Sequence, residues 1–335
     1  MIILCRGKNL NTLLKYIIFI LFAAIGEFLN AQQLPSFTQY LNNGFIINPA
    51  MAGSDGYTSL NTTYRKQWIG LQNSPTTYSI SGQTRLLRKS FRIVSRNVRK
   101  NVIKPSTKGR VGLGGFVLND VSGLVSRTGV NLAYAYHIHL YQSQVSFGLA
   151  GQIFQYRIDD SNFEFGTEDP ILIGGLKLVT FIPDANAGFY WTGDRFFVGL
   201  SANQLFQSVL KLGSSDLGQL KLYRHYYFMG GFTMPVTREF ELEPSTLIRT
   251  TDQLNPQLDI SLRLFYLNDY WAGLAYRSSG SVSGLFGVRT NQLYLGIAYD
   301  YSLTSIRKRS YGSAEIVISA KLGSNARRYR WVNRY

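Results

Sequence analysis

Three histidines are the natural place to look for chemistry in this chain, and two share a face. His137 and His139 stand two residues apart in a stretch that alternates like a strand, a spacing that could bring two imidazoles toward one metal ion. A zinc site would need a third ligand from a facing strand. Neither His225, in Tyr223-Arg224-His225-Tyr226, nor any carboxylate is placed there by the sequence. Lumen-lining or interfacial histidines are the expected reading. A nucleophilic triad would require a serine and an acid fixed beside one of these rings, which spacing does not supply. The pairs Asp159-Asp160 and Glu168-Asp169 lack an EF-hand ligand pattern and read as solvated loop charges. Gly112-Leu113-Gly114-Gly115 lies within a strand rather than at a strand-to-helix turn. It therefore reads as relief of crowding or a bend in a wall, not as a phosphate cradle. These residues point away from an enzyme, with no metal and no cofactor expected.

The elements that would position such residues begin with an export signal. Arg6, Lys8 and Lys15 precede an apolar run from Tyr16 to Ile25, and Ala31 offers a small residue at the cut, so residues 1–31 read as a cleaved secretory leader. The run is too short for a spanning helix, which takes about 20 apolar residues. The single cysteine, Cys5, lies inside that leader, leaving a mature chain without thiol, disulfide or lipid-bearing cysteine. The formal charge of +16 falls by two on removal of the leader. Export argues against a nucleic-acid partner for so basic a chain and favours lipid phosphates or an acidic envelope protein. Charged residues make up 16% of the chain against 14% aromatics, with 32 glycines, a balance that suits aromatic girdles and close-packed strands better than a wet surface.

Period-two alternation recurs. Val130, Leu132, Tyr134, Tyr136 and Ile138 interleave with Asn131, Ala133, Ala135, His137 and His139. Leu258, Ile260, Leu262, Leu264 and Tyr266 do so with Asp259, Ser261, Arg263 and Phe265, and Leu293, Leu295, Ile297 and Tyr299 with Tyr294, Gly296, Ala298 and Asp300. Periodicity alone does not separate a lipid-facing barrel, with polar residues in its lumen, from a soluble sandwich with polar residues in water. The bulk of the apolar set and the aromatics near strand ends, as at Trp191, Tyr270 and Trp271, favour the barrel. The fold expected is all-β, a single-chain transmembrane antiparallel barrel of about 14 strands, an even number as bacterial barrels require. It spans residues 57–322, with strands expected at 128–139, 142–157, 184–191 and 221–234 among others. With the N-terminus on the periplasmic side, the long links at 158–183 and 204–220 face outward and several inward turns are short. One inward link, 87–108, carries Arg88, Lys89, Arg92, Arg96, Arg99, Lys100, Lys104 and Lys108 with no acid, and the basic tail at 323–335 falls on the same side. Either these are solvated charges, or they form a docking surface for an acidic partner.

Phe37-Thr38-Gln39-Tyr40, Ile47-Asn48-Pro49-Ala50-Met51-Ala52-Gly53, Tyr64-Arg65-Lys66-Gln67-Trp68-Ile69-Gly70 and Pro75-Thr76-Thr77 resemble the N-terminal pattern of the PorP/SprF family of the type IX secretion system. The rhythm continues in Gln257-Leu258-Asp259, Trp271-Ala272-Gly273, Tyr276-Arg277, Tyr299-Asp300-Tyr301 and Gly312-Ser313-Ala314-Glu315. Thr38 replaces the family's usual Ser, and Ala314 stands where His is common. The resemblance covers essentially the whole mature chain. It implies an outer-membrane barrel that binds and helps export or surface-attach a secreted protein, such as a large adhesin with a type B C-terminal domain. It further implies contact with periplasmic, peptidoglycan-binding parts of the machine, and for some members gliding motility.

Beside the resemblance, the residues suggest local roles. Asn48-Pro49 favours an extended conformation at Asn48 and Gly53 permits a bend, so the segment 32–56 is expected to line, plug or seal the lumen before the first strand. Tyr64, Arg65, Gln67 and Trp68 are expected at the top of that strand, either closing the barrel or meeting a cargo domain. The competing function is a diffusion channel for small solutes.

Overall fold

The computed structural model describes residues 35–86, 110–140, 143–158, 178–207, 209–212, 218–290 and 292–322. The leader, the basic link holding Arg88, Lys89, Arg92, Arg96, Arg99 and Lys100, the acidic pairs at 159–160 and 168–169, and the tail at 323–335 lie outside the described residues.

Alternating sequence becomes strand: β1 (Thr58–Lys66), β2 (Thr76–Leu86), β3 (Val111–Ser122), β4 (Val125–Leu140), β5 (Ser143–Ile158), β6 (Leu178–Gly193) and β7 (Phe196–Asn203) follow in order. A short hairpin of β8 (Val209–Leu212) and β9 (Gly218–Lys221) precedes β10 (His225–Phe232) and the two-residue β11 (Met234–Pro235). Then come β12 (Phe240–Thr251), β13 (Gln257–Tyr266), β14 (Tyr270–Arg277), β15 (Ser281–Thr290), β16 (Leu293–Ser302) and β17 (Ser313–Leu322). β1 pairs antiparallel with β17 from Thr58↔Leu322 to Lys66↔Ala314, and β10 pairs with β12 from His225↔Thr251 to Gly231↔Ser245. Those two seams close the sheet, so among the described residues fourteen antiparallel strands form a barrel, with the β8–β9 hairpin outside it. Closure leaves no unpaired edge, the condition for a sheet that lies in hydrocarbon.

Which face is wet decides between barrel and sandwich. Leu132, Leu149 and Leu274 are 70%, 66% and 68% exposed, whereas Asn131 and Arg263 are each 2% exposed and Glu315 is fully buried. A sandwich would show the reverse. The large apolar residues point outward and the polar ones inward, as in a barrel that meets lipid on its outside.

Most strand ends fall within a few residues of expectation, and two elements depart further. β6 starts at Leu178 rather than 184, because the alternation continues through Pro183, which pairs with Ile153 of β5. Proline has no N–H to give a ladder, so it reads in sequence as a stop. The run expected at 221–234 divides into the end of the β8–β9 hairpin and a shorter barrel strand, β10.

Candidate functional site: the barrel lumen

The first two residues of β1 and the last two of β17 lie at one rim. Lys66, Ser302 and Ser313, where β1 and β16 end and β17 begins, lie at the other. Residues 35–56 run between these rims against the inward-facing side chains.

At the second rim, charge organises the contact. Arg65 is 2% exposed and holds two acids, Nη2 to Asp300 Oδ2 at 2.6 Å and Nη1 to Glu315 Oε2 at 2.9 Å. The Glu315 carboxylate accepts from the backbone N–H of Thr38 (2.8 Å) and of Gln39 (2.9 Å). Thr38 Oγ1 accepts from Arg65 Nη1 (2.7 Å) and donates to Asp300 Oδ2 (2.8 Å). Alongside, Asp259 takes Arg277 Nε at 3.1 Å and also Arg249, while Arg263 pairs with Glu243 and donates to Asn42 Oδ1 at 3.1 Å. Ions removed from water at this cost persist only when their hydrogen bonds are met, and here the luminal segment supplies part of them.

Toward the first rim the segment is held by shape and by neutral polar groups. Asn48 is extended (φ −129°) before Pro49, caps the 3-10 turn Pro49–Met51 by accepting from Ala50 N, and is fully buried. Its Nδ2 donates to the carbonyls of Phe189 (2.9 Å) and Leu200 (3.2 Å) on the facing wall. Ala52 O meets His137 Nε2 at 3.0 Å, and His137 Nδ1 meets Ser146 Oγ at 2.7 Å. Two glycines make room: a Cβ on Gly148 would lie 2.2 Å from Ala50 N, and one on Gly188 would lie 2.1 Å from Asn48 Oδ1. Gly148→Val should therefore force the segment off the wall and cost about 1–3 kcal/mol. Gly151→Val, in the same strand where a Cβ meets nothing within 4 Å, should be near neutral. Urea unfolding of the two variants in micelles would show the contrast, and equal stability would contradict the placement.

Of the residues singled out in the sequence, Arg65 enters this lumen network, while Tyr64 faces outward with its ring 5.0 Å from that of Tyr78. Gln67 and Trp68 lie in the β1–β2 turn. Gln67 N–H donates to Pro75 O (2.8 Å) and Trp68 N–H to Ser313 Oγ (3.1 Å), with Trp68 in the left-handed region at φ 48°. Ala314, the departure from the family pattern, is the neighbour of Glu315 on the opposite face and leaves the network untouched. Gly112 and Gly114 relieve crowding as expected, against Ala52 O and the Phe45 ring. His137 and His225 are bonded structurally, His225 Nδ1 to Gln204 Oε1 (3.0 Å) and Tyr223 O (2.9 Å). Among the described residues no group of three metal-ligating side chains forms. The interior acids Asp259, Asp300 and Glu315 were missed as site residues, although each stands in a motif block at an inward position.

A family model described as "Type IX secretion system membrane protein PorP/SprF" matches residues 29–320. No curated protein sequence matches the chain. Among solved structures, the chain is similar to the Acinetobacter baumannii outer membrane protein Omp33, with 7% identity, TM-score 0.41, and 81% of this chain and 100% of that one covered. It is similar to a deletion mutant of the monoaromatic hydrocarbon channel TodX, with 9% identity, TM-score 0.43, and 84% and 93% covered. It is also similar to the translocator domain of the autotransporter NalP from Neisseria meningitidis, with 10% identity, TM-score 0.39, and 88% and 100% covered.

Proposed function

The chain belongs to the PorP/SprF family of type IX secretion system membrane proteins and is an outer-membrane β-barrel of that system, and from that premise we propose that it holds an exported protein at the membrane rather than conducting solutes. The family is one of secretion barrels and not of enzymes. What supports the reading is the path of residues 35–56, which run inside the ring from one rim to the other and are hydrogen-bonded to the wall at both ends. In this reading the segment is a plug, and a plugged barrel is better suited to gripping than to conducting.

The client is a secreted protein with a C-terminal secretion domain, a large adhesin with a type B domain in the fuller version. It is engaged by the outer rim, where Tyr64, Gln67 and Trp68 flank the turn that Arg65 anchors from inside. The leader 1–31 is removed on export. Arg88, Lys89, Arg92, Arg96, Arg99 and Lys100 face the periplasm and attract acidic, peptidoglycan-binding parts of the machine, through a field that salt weakens. Gliding follows where the client moves along the cell surface.

Affinity purification from detergent-solubilised envelopes tests this. The expected result is one exported protein recovered with the barrel. Neutralising the six basic residues should reduce recovery of the periplasmic partner, most clearly at low salt. Recovery of the barrel alone, together with free solute flux through reconstituted barrels, would instead establish a diffusion channel.

A further inference from the structure

The link between β16 and β17 carries three consecutive cations. Arg307, Lys308 and Arg309 are exposed, the stretch from Ser302 to Ser313 holds no acid, and none of the three enters an ion pair among the described residues. The link is also braced at both ends. Ile69 N–H donates to Gly312 O at 2.7 Å and Tyr311 N–H to Ile69 O at 2.8 Å, while Leu303 N–H donates to Gly280 O at 2.8 Å. Between these ties runs the 3-10 turn Ser305–Lys308, closed by the Arg309 N–H on Ile306 O at 3.0 Å. Cations on a fixed link lose less freedom on binding than cations on a free one.

The surrounding wall sets the level at which they stand. Tyr78, Tyr276, Tyr299 and Tyr301, all exposed, lie near the same rim in β2, β14 and β16, and Tyr311 in the link itself is 79% exposed. Exposed tyrosines gathered near a barrel rim mark the depth where hydrocarbon gives way to headgroups. Tyr299, Ala314 and Lys66 are cross-strand neighbours, and Lys66 shares the outward face of Tyr64, so a fourth cation lies in the tyrosine row. Link lengths give the side. The rim where β1 starts carries the short turns 141–142, 194–195, 267–269 and 291–292, and the longer links 67–75, 204–224 and 303–312 lie at the other. Short turns belong to the periplasm, so, the basic link at 87–110 apart, the three cations face outside.

We propose that Lys66, Arg307, Lys308 and Arg309 bind the phosphate groups of the anionic glycolipid that forms the outer leaflet, with Tyr299, Tyr301 and Tyr311 packing against the same lipid. The charges are complementary, and a guanidinium suits a phosphate oxygen pair. A lipid is favoured over an acidic protein because Lys66 and the tyrosines belong to the outward row, continuous with Ile316 and Ile318, which face hydrocarbon. The inference needs only the outer-membrane placement of the barrel and is independent of client holding.

Native mass spectrometry of the full chain released from micelles tests it with three probes: lipid A bearing both phosphates, the same lipid A dephosphorylated, and inorganic phosphate. The first should bind and the other two should bind far more weakly. Replacing Arg307, Lys308 and Arg309 together by Gln should abolish the preference for the phosphorylated lipid. Arg309→Gln alone should weaken it about fivefold, the scale for one basic residue at an anionic lipid surface, and covers the case in which the triple variant fails to fold. Arg307→Lys with Arg309→Lys should keep binding within about threefold, and Arg238→Gln, an exposed cation at the opposite rim, should leave it unchanged. Equal binding of the two forms of lipid A would overturn the inference, as would an undiminished preference in the triple variant. Inorganic phosphate binding as tightly as lipid A would identify a free-anion site and overturn the lipid assignment. Loss of an acidic protein from envelope purifications of the triple variant, with lipid A binding intact, would assign the cations to that protein instead.

Discussion

Arg65→Ala is expected to destabilise the barrel by about 3–5 kcal/mol, because it leaves two carboxylates buried without their cation. Asp300 and Glu315 are 3% and 0% exposed, and water does not replace the guanidinium without opening the rim. The loss should propagate to the luminal segment, since Thr38 is bonded to Arg65 and to both acids. A triple variant isolates the cause. Glu315→Gln alone should also be costly, but Arg65→Leu combined with Asp300→Asn and Glu315→Gln should recover much of the loss, since neither carboxylate is then left charged without its cation. Urea midpoints in micelles measure it, and a triple variant no more stable than Arg65→Ala would show that the interior charges are not coupled in this way.

Deleting residues 36–52 should produce the second large effect, a change from a barrel that passes little current to one that conducts. The segment's residues are mostly buried within the ring, and Phe37, Phe45, Asn48 and Ala50 each take up interior space. With them gone, an interior lined by Asn, Gln, Ser and charged side chains would be left to water. Planar-bilayer recordings of intact and shortened chains provide the comparison. If the intact chain conducts as freely as the shortened one, the lumen is open and the diffusion-channel reading gains.

The wall of this molecule was legible because one face of each strand meets hydrocarbon and the other does not, which writes itself into the sequence as strict alternation. Legibility failed where that signal is interrupted. Pro183 hides six residues of β6, and the β8–β9 hairpin belongs to no barrel face. The lumen was only half legible. Asn48-Pro49 and Gly53 pointed to a shaped segment, yet what it touches could not be read, because the bonds from Thr38 to Asp300 and from Arg65 to Glu315 join residues 262 and 250 apart. Parity could have done better for Arg65. It stands one residue after Tyr64, so the two cannot share a face, and grouping them as one contact surface set aside the alternation that located the strand.

Hydrogen exchange at the luminal segment tests the central claim most directly. Thr38 and Gln39 donate their backbone N–H groups to the buried Glu315 carboxylate inside the rim, and Ala50 donates to Asn48. Peptides covering residues 36–53 of the protein in micelles should therefore exchange about as slowly as peptides from β1 and β17. Exchange at the rate of an unstructured peptide would mean that the segment hangs outside the barrel, and the account of a filled, gripping lumen would fall with it.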